Sequence, residues 1–328
     1  MSILSTPLKI GNLKFRNRVF LAPMSGVSDL PFRQRSWNAG AGMVVSEMVA
    51  SGELCSGAPE SQMRMNGDGL PQHVVQLAGR DPEWMAKAAE IVEASHADMI
   101  DINMGCPAKK VIGGYSGAAL MRDLKLAMSL IEAVLKAVRI PVSLKMRLGW
   151  DETTINAPEL AMLAEQAGIA MITVHGRTRM QFYSGKADWD ALKKVRDVIS
   201  IPMVANGDIT NLEDAKDCLR RSGADAVMVG RASYGAPWLA GEIAGQPFCE
   251  DLGAYICDHY RAMLDYYGEH TGIRHARKHL DWYLEKHAKG AYSAKERNEM
   301  MTSRQPEYVL KLLQTIFSRD ICHRKEAA

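Results

Sequence analysis

Between Arg18 and about Gly245 the chain alternates short apolar, β-branched runs with longer stretches whose apolar positions recur at three- and four-residue spacing. The first pattern is that of a strand buried on both faces. The second is that of a helix with one buried stripe, and their alternation defines βα units around a parallel sheet. Eight strands are predicted, over residues 19–24, 43–48, 73–78, 99–104, 142–147, 171–175, 203–206 and 226–230. Helices are predicted over 83–95, 126–138, 159–167, 189–199 and 212–221, with Asp188 and Asn211 placed as N-caps and Gly168 and Gly223 as stops. Eight such units favour a closed (β/α)8 TIM barrel over an open sheet. Residues 1–17 read as a hairpin turning at Gly11-Asn12 and plugging the far end of the barrel. After Gly245 the alternation stops, and apolar residues at helical spacing run through 252–317. The expected organisation is a barrel domain over 1–245 and an all-helical domain over 246–328.

Polar residues interrupt this pattern mostly where strands end: Ser25, Gln76, Asn103, Cys106, Lys145, Arg147, His175, Arg177, Asn206 and Arg231. In a TIM barrel those ends form the catalytic face. Composition adds exclusions. With 47% hydrophobic and 24% charged residues, disordered and fibrous classes are set aside, and a net charge of +2 decides nothing about partners. The six cysteines, at 55, 106, 218, 249, 257 and 322, form no CxxC pair and no zinc spacing, so a reduced, cytoplasmic protein without a metal is expected. No apolar run reaches the roughly 18 residues that span a bilayer, and residues 1–10 lack a signal-peptide core, so no membrane association is expected.

The candidate chemistry begins at Asn103-Met104-Gly105-Cys106-Pro107, where an apolar run ends in an amide and a thiol. A buried structural cysteine is the commoner case for an isolated Cys. Here Lys109, Lys110 and the glycine-rich 113–117 segment follow, a composition suited to a mobile lid. Asn206-Gly207-Asp208 and Gly230-Arg231 close the last two strands, where barrels bind phosphate, and Arg231 supplies a cationic fork for it. The small residues of Ala22-Pro23-Met24-Ser25-Gly26 suit a flat ring, to which Gln76 could hydrogen-bond. Lys145 lies inside an apolar strand, where an unpaired ammonium is costly. Its partner is either the pyrimidine edge of a flavin or a carboxylate, Asp101 or Glu47. No GxGxxG follows a strand, so no standing dinucleotide site is expected.

In order and spacing these motifs resemble the tRNA-dihydrouridine synthases. The likeness is carried by Ala22-Pro23-Met24 with Asp29 and Phe32-Arg33, Gln76-Leu77-Ala78-Gly79, Asn103 to Pro107, Lys145-Met146-Arg147, His175-Gly176-Arg177-Thr178, Asn206-Gly207-Asp208, Gly230-Arg231 and, in the tail, Arg277-Lys278-His279-Leu280-Asp281-Trp282-Tyr283. Cys106-Pro107-Ala108-Lys109-Lys110-Val111 is similar to the bacterial B-type branch, although Ser25 and Ile112-Gly113-Gly114-Tyr115 depart from it. The resemblance implies reduction of uridines in tRNA, with FMN as cofactor and NADPH as transient reductant. It implies FMN contacts from Pro23, Met24, Ser25, Gln76, Lys145, Asn206, Gly207, Asp208, Gly230 and Arg231, and Cys106 as proton donor. Asn103, Arg147 and Arg177 are then candidates for gripping uracil, and His175 for the flavin side.

Residues 273–297 hold seven Lys or Arg against three acids, and Arg274, Arg277 and Lys278 share one helical face. Such a face is usually only solvated; beside an active site it suits an RNA backbone. Rival readings are a flavin barrel acting on a free pyrimidine or an enone, and a non-catalytic RNA-binding flavoprotein. A monomer is expected, and the uridine position is not legible.

Overall fold

The computed structural model of the chain describes residues 2–326, with side chains described as far as Arg319. The end of the expected helical domain and the Cys322 side chain lie outside the described residues. A hairpin comes first, β1 (Leu8–Ile10) and β2 (Leu13–Phe15), paired antiparallel across the Gly11-Asn12 turn. Eight parallel strands follow: β3 (Val19–Leu21), β4 (Met43–Ala50), β5 (Val74–Ala78), β6 (Met99–Met104), β7 (Val142–Arg147), β8 (Met171–His175), β9 (Met203–Asn206) and β10 (Ala226–Val229). The sheet closes where β10 pairs with β3, Val227 opposite Val19. This is the expected (β/α)8 barrel.

Strand alternation explains why the sequence folds so. Along each strand one parity packs outward against the helices, as Val44, Ile100, Leu144, Ile172 and Ala205 do. The other parity points inward. At the N-terminal end the inward residues Phe20, Met43, Val45, Val74, Met99, Met171 and Val204 are apolar and pack against Leu8, Ile10 and Phe15 of the hairpin, which stoppers that end. Two and four residues further along, the same inward faces carry Asp101 and Asn103, Lys145 and Arg147, Thr173 and His175. The interior thus turns from apolar to polar toward the strand C-termini.

The five expected helices form at Pro82–Ala94, Leu124–Ala137, Ala157–Ala167, Trp189–Arg196 and Leu212–Ser222. Asp188 and Asn211 accept from Ala191 and Asp214 NH, and Gly168 and Gly223 end their helices left-handed. Two differences have clear causes. The first barrel strand stops at Leu21 rather than Met24: Ala22 NH still donates to Val229 O at 2.8 Å, but Pro23 has no NH to continue the ladder. A helix over Leu30–Asn38 escaped the periodicity because it buries Arg33 and Ser36 as well as Phe32; its signals are the Asp29 N-cap and Pro31. The 113–117 segment is ordered by its neighbours in this conformation. It joins a helix, Lys109–Gly113, to a 3-10 turn, Gly117–Arg122, and Ala118 NH donates to Cys106 O at 3.0 Å.

The tail consists of helices Leu252–Tyr267, Glu269–His287, Ala294–Thr302 and Pro306–Glu326. They have their own core, with Ile256, Tyr260, Leu280, Tyr283, Leu313 and Ile316 at its centre, joined by Trp238 from the barrel's end. Phe32 of the barrel reaches the tail's His259 and His279, with ring centroids at 6.0 and 5.6 Å. Among the described residues no helix is long and apolar enough to cross a membrane.

Candidate active site

A cavity of about 900 Å³ opens at the C-terminal ends of the strands, within the range of roughly 300–1,000 Å³ usual for cofactor sites. Its wall includes Pro23, Met24 and Ser25 after β3, Gln76 on β5, Asn103 and Cys106 from β6, and Lys145 and Arg147 on β7. His175 closes β8, and Asn206, Gly207, Asp208, Gly230 and Arg231 follow β9 and β10. The structure therefore brings together the expected residues of the barrel mouth, with Arg177 the exception.

The Cys106 turn is held by a chain of buried hydrogen bonds. Ser143 Oγ and Gln76 Nε2 donate to Asp101 at 2.6 and 2.7 Å, and Asn103 Nδ2 donates to Gln76 Oε1 at 2.7 Å. Asn103 Oδ1 in turn accepts from Gly105 NH and Cys106 NH at 3.1 and 3.0 Å. Gln76 and Asn103 thus spend most of their amide capacity on positioning Cys106, each keeping one amide hydrogen for the cavity. Burial pushes the Cys106 thiol up, against the Ala108 NH and the nearby Arg147 and Lys145, so the sulfur keeps its proton at neutral pH.

Lys145 is buried and its Nζ donates to Asn206 Oδ1 at 3.1 Å, while Asn206 Nδ2 donates to Met228 O at 2.8 Å. Among the described residues it forms no ion pair with Asp101 or Glu47, so the carboxylate alternative fails; Asp101 is engaged by Ser143 and Gln76. Burial lowers the ammonium to about 8, with Asp101 acting upward. Such a group suits an electron-rich ring edge.

Arg147 does more holding than reaching. Its guanidinium donates to Gly105 O, Thr178 O and Phe182 O at 2.8–2.9 Å, and burial lowers it to about 10. Arg177 does not line the cavity. It is buried, donates to Ser184 O and Gly185 O, and pairs with Asp208 at 2.6 Å, which pins the 178–187 loop. Its Nη1 lies 3.3 Å from His175 Nε2. His175 is driven well below its ordinary value by burial and by the surrounding Arg147, Lys145, Arg177 and Arg231 cations, so it is neutral. Accepting from Arg177 at Nε2 leaves its proton on Nδ1.

Gly207 is required where it stands: at φ +123° a Cβ would lie 2.7 Å from Ala187 Cβ and 2.9 Å from His175 Cδ2. Asp208 next to it is also left-handed, and its Oδ1 lies 3.4 Å from the half-exposed Arg231. Sequence reasoning missed Tyr183, whose ring lies under Arg231 at 4.4 Å and Arg147 at 5.5 Å. It also missed Phe182, Tyr234 and the rim pair Arg64 and Glu60. The adjacent aromatics Phe182-Tyr183 in a loop just after β8 were the available signal.

The tail cations do not reach the cavity. Of the seven basic residues in 273–297, Arg297 is held by Asp281 in two bonds of 2.7 Å, and Lys286 donates to Ala232 O at 2.8 Å. Arg274, Lys289 and Lys295 are exposed, Arg277 is half-buried, and Lys278 turns toward the barrel.

A buried ammonium with no carboxylate in ion-pair contact among the described residues, and an arginine beside glycine at the end of β10, fit a flavin. Solved structures share the fold. Histamine dehydrogenase from Rhizobium sp. 4-9 superposes with a TM-score of 0.54 at 15% identity, over 79% of this chain and 51% of that one. Morphinone reductase gives 0.53 at 15% identity, over 76% of this chain and 93% of that one. Fold and site together define the class, a flavin-dependent (β/α)8 oxidoreductase. Within it the chain belongs to the dihydrouridine synthase (Dus) family, whose model matches residues 20–321. Similar relatives include a probable tRNA-dihydrouridine synthase of Rhizobium leguminosarum bv. phaseoli, 58% identical over 96% of this chain and all of that one. Another is tRNA-dihydrouridine synthase B of Salmonella typhimurium, 43% identical over 86% of this chain and 91% of that one.

Proposed function

We propose that the protein reduces uridines in tRNA to 5,6-dihydrouridine, with FMN as its flavin and NADPH as the reductant, in the bacterial cytoplasm. The observation that carries this reading is the Cys106 thiol on the wall of the same cavity that Lys145 lines. Pro23, Met24, Ser25, Lys145, Asn206, Gly207, Gly230 and Arg231 are the residues to hold FMN, with Asp208 orienting Arg231. Bound there, the flavin supplies a hydride to carbon six of the uracil.

Carbon five then needs a proton from the opposite face, and Cys106 donates it from sulfur. The thiol suits this because burial keeps it protonated, and the Asp101 to Asn103 hydrogen-bond chain fixes the turn that aims it. The remaining amide hydrogens of Gln76 and Asn103, the free guanidinium edge of Arg147 and the Nδ1 hydrogen of His175 are donors for a uracil carbonyl gaining charge in the transition state. Arg177 serves as a positioning group, holding His175 and the aromatic loop rather than the base. The target base must leave its stack to reach this depth, and RNA contacts on the tail offset that cost.

The test is Cys106→Ala. The variant is expected to stay yellow and retain tRNA while dihydrouridine formation falls about 10²–10⁴-fold, the usual weight of a general acid. Turnover equal to the parent would remove Cys106 from the chemistry.

A further inference from the structure

Barrel and tail meet in a buried cluster of charge that the proposed chemistry leaves unused. Glu47 lies at the register shift of β4 between Val45 and Met48, a bulge of the kind that re-aims side chains, and it does not line the cavity. Its carboxylate accepts from Gly26 NH at 2.5 Å. Asp29 caps the Leu30–Asn38 helix through Phe32 NH at 3.0 Å and accepts from Tyr267 OH of the tail at 3.1 Å. Both carboxylates are only 4% exposed.

Two cations answer them. Arg33 donates to Ser28 O and Asn66 O, and Lys278 comes from the tail helix Glu269–His287. Lys278 Nζ lies so near the Gly26 turn that a Cβ on that glycine would be 3.2 Å away. Tyr266, whose OH donates to Met63 O, and His275, stacked on Tyr267, also face the junction, with His279 beside Lys278 on the same helix. The turn they surround is stiff: Met24 O accepts from Val27 NH and Ser28 NH at 2.9 and 3.0 Å, and Met24 NH donates to Ser28 Oγ at 2.8 Å. Its other side, Pro23 to Ser25, is cavity wall.

We propose that Lys278 is a positioning residue of the flavin site and not a phosphate contact: set against the Gly26 turn, whose NH is held by Glu47, it ties the docking of the tail helices to the shape of the cavity wall. The inference rests on the flavin and tRNA reading above. Without Lys278, two buried carboxylates lose a nearby positive charge and the Gly26 turn loses its outer support. Desolvation at the junction lowers Lys278, and Asp29 and Glu47 act upward only in part.

The experiment compares the holoprotein with Lys278→Met, Lys278→Arg and the double variant Lys278→Met/Glu47→Gln. Flavin retention, the visible flavin spectrum and the salt dependence of tRNA binding are measured on each. Lys278→Met is expected to release flavin about tenfold more readily with an altered spectrum, while its salt slope for tRNA is unchanged. Lys278→Arg keeps the parental spectrum. Glu47→Gln removes the charge that Lys278 balances yet still accepts from Gly26 NH, so the double variant regains flavin retention. Unchanged flavin in Lys278→Met with a shallower salt slope makes Lys278 a phosphate contact and overturns the proposal. A double variant no better than the single, or one that does not fold, overturns it as well. A parent protein that holds no flavin or no tRNA defeats the functional reading itself, before any variant is made.

Discussion

Lys145 shows how much one inward position on a strand decides. Parity alone sends it into the barrel, and burial lowers its ammonium to about 8. An electron-rich ring edge beside it acts in the opposite sense and raises it. Flavin binding to the apoprotein is therefore expected to take up a fraction of a proton at pH 8.5 and almost none at pH 7, where the lysine is already charged. Titration calorimetry in buffers of different ionisation heat reads this directly. Buffer-independent heat at pH 8.5, or uptake that survives in Lys145→Met, would count against the placement. The residue was legible because an ammonium in an apolar strand has no bland explanation once carboxylates are excluded. Arg177 was less legible: its type suggested a ligand contact, but long side chains in a buried mouth also brace loops, and only its hydrogen-bond partners tell the two apart.

Helices of the tail carry a different kind of information. His279, on the Glu269–His287 helix, is buried with no hydrogen-bond partner for either nitrogen among the described residues, and burial with nearby Lys278 and His275 lowers it to about 3. An unfolded histidine takes a proton near pH 6.5, so folding loses stability as pH falls from about 6.5 toward 3 and keeps it above that window. His279→Leu is expected to stabilise the protein by about 2 kcal/mol more at pH 5 than at pH 7.5, read from thermal or urea unfolding. An equal effect at both pH values would show that His279 is not the acid-sensitive group. The sequence marked this helix by its apolar stripe, yet Arg274, Arg277 and Lys278 also looked like a basic face. Docking against the barrel reassigns that face: Lys278 turns to Gly26 and His279 to Phe32, a tertiary effect that no helical wheel contains. The Leu30–Asn38 helix failed in the opposite way, its stripe obscured by a buried arginine.

At the scale of the molecule, the barrel was readable because eight strands buried on both faces leave a periodic apolar signature, while loops such as 178–187 leave none. The RNA surface belongs to this scale too. Arg274 is exposed and unpaired by any acid among the described residues, so Arg274→Ala is expected to weaken tRNA binding and reduce its log–log salt slope by about 0.7–0.9, with flavin content unchanged. Salt-insensitive binding, or no retention of tRNA by the parent, would instead favour an enzyme of free pyrimidines. The stoppered N-terminal end has a kinetic meaning as well. With Leu8, Ile10 and Phe15 filling the floor, the cavity opens at the strand C-termini, so whatever it takes in arrives and departs by that side.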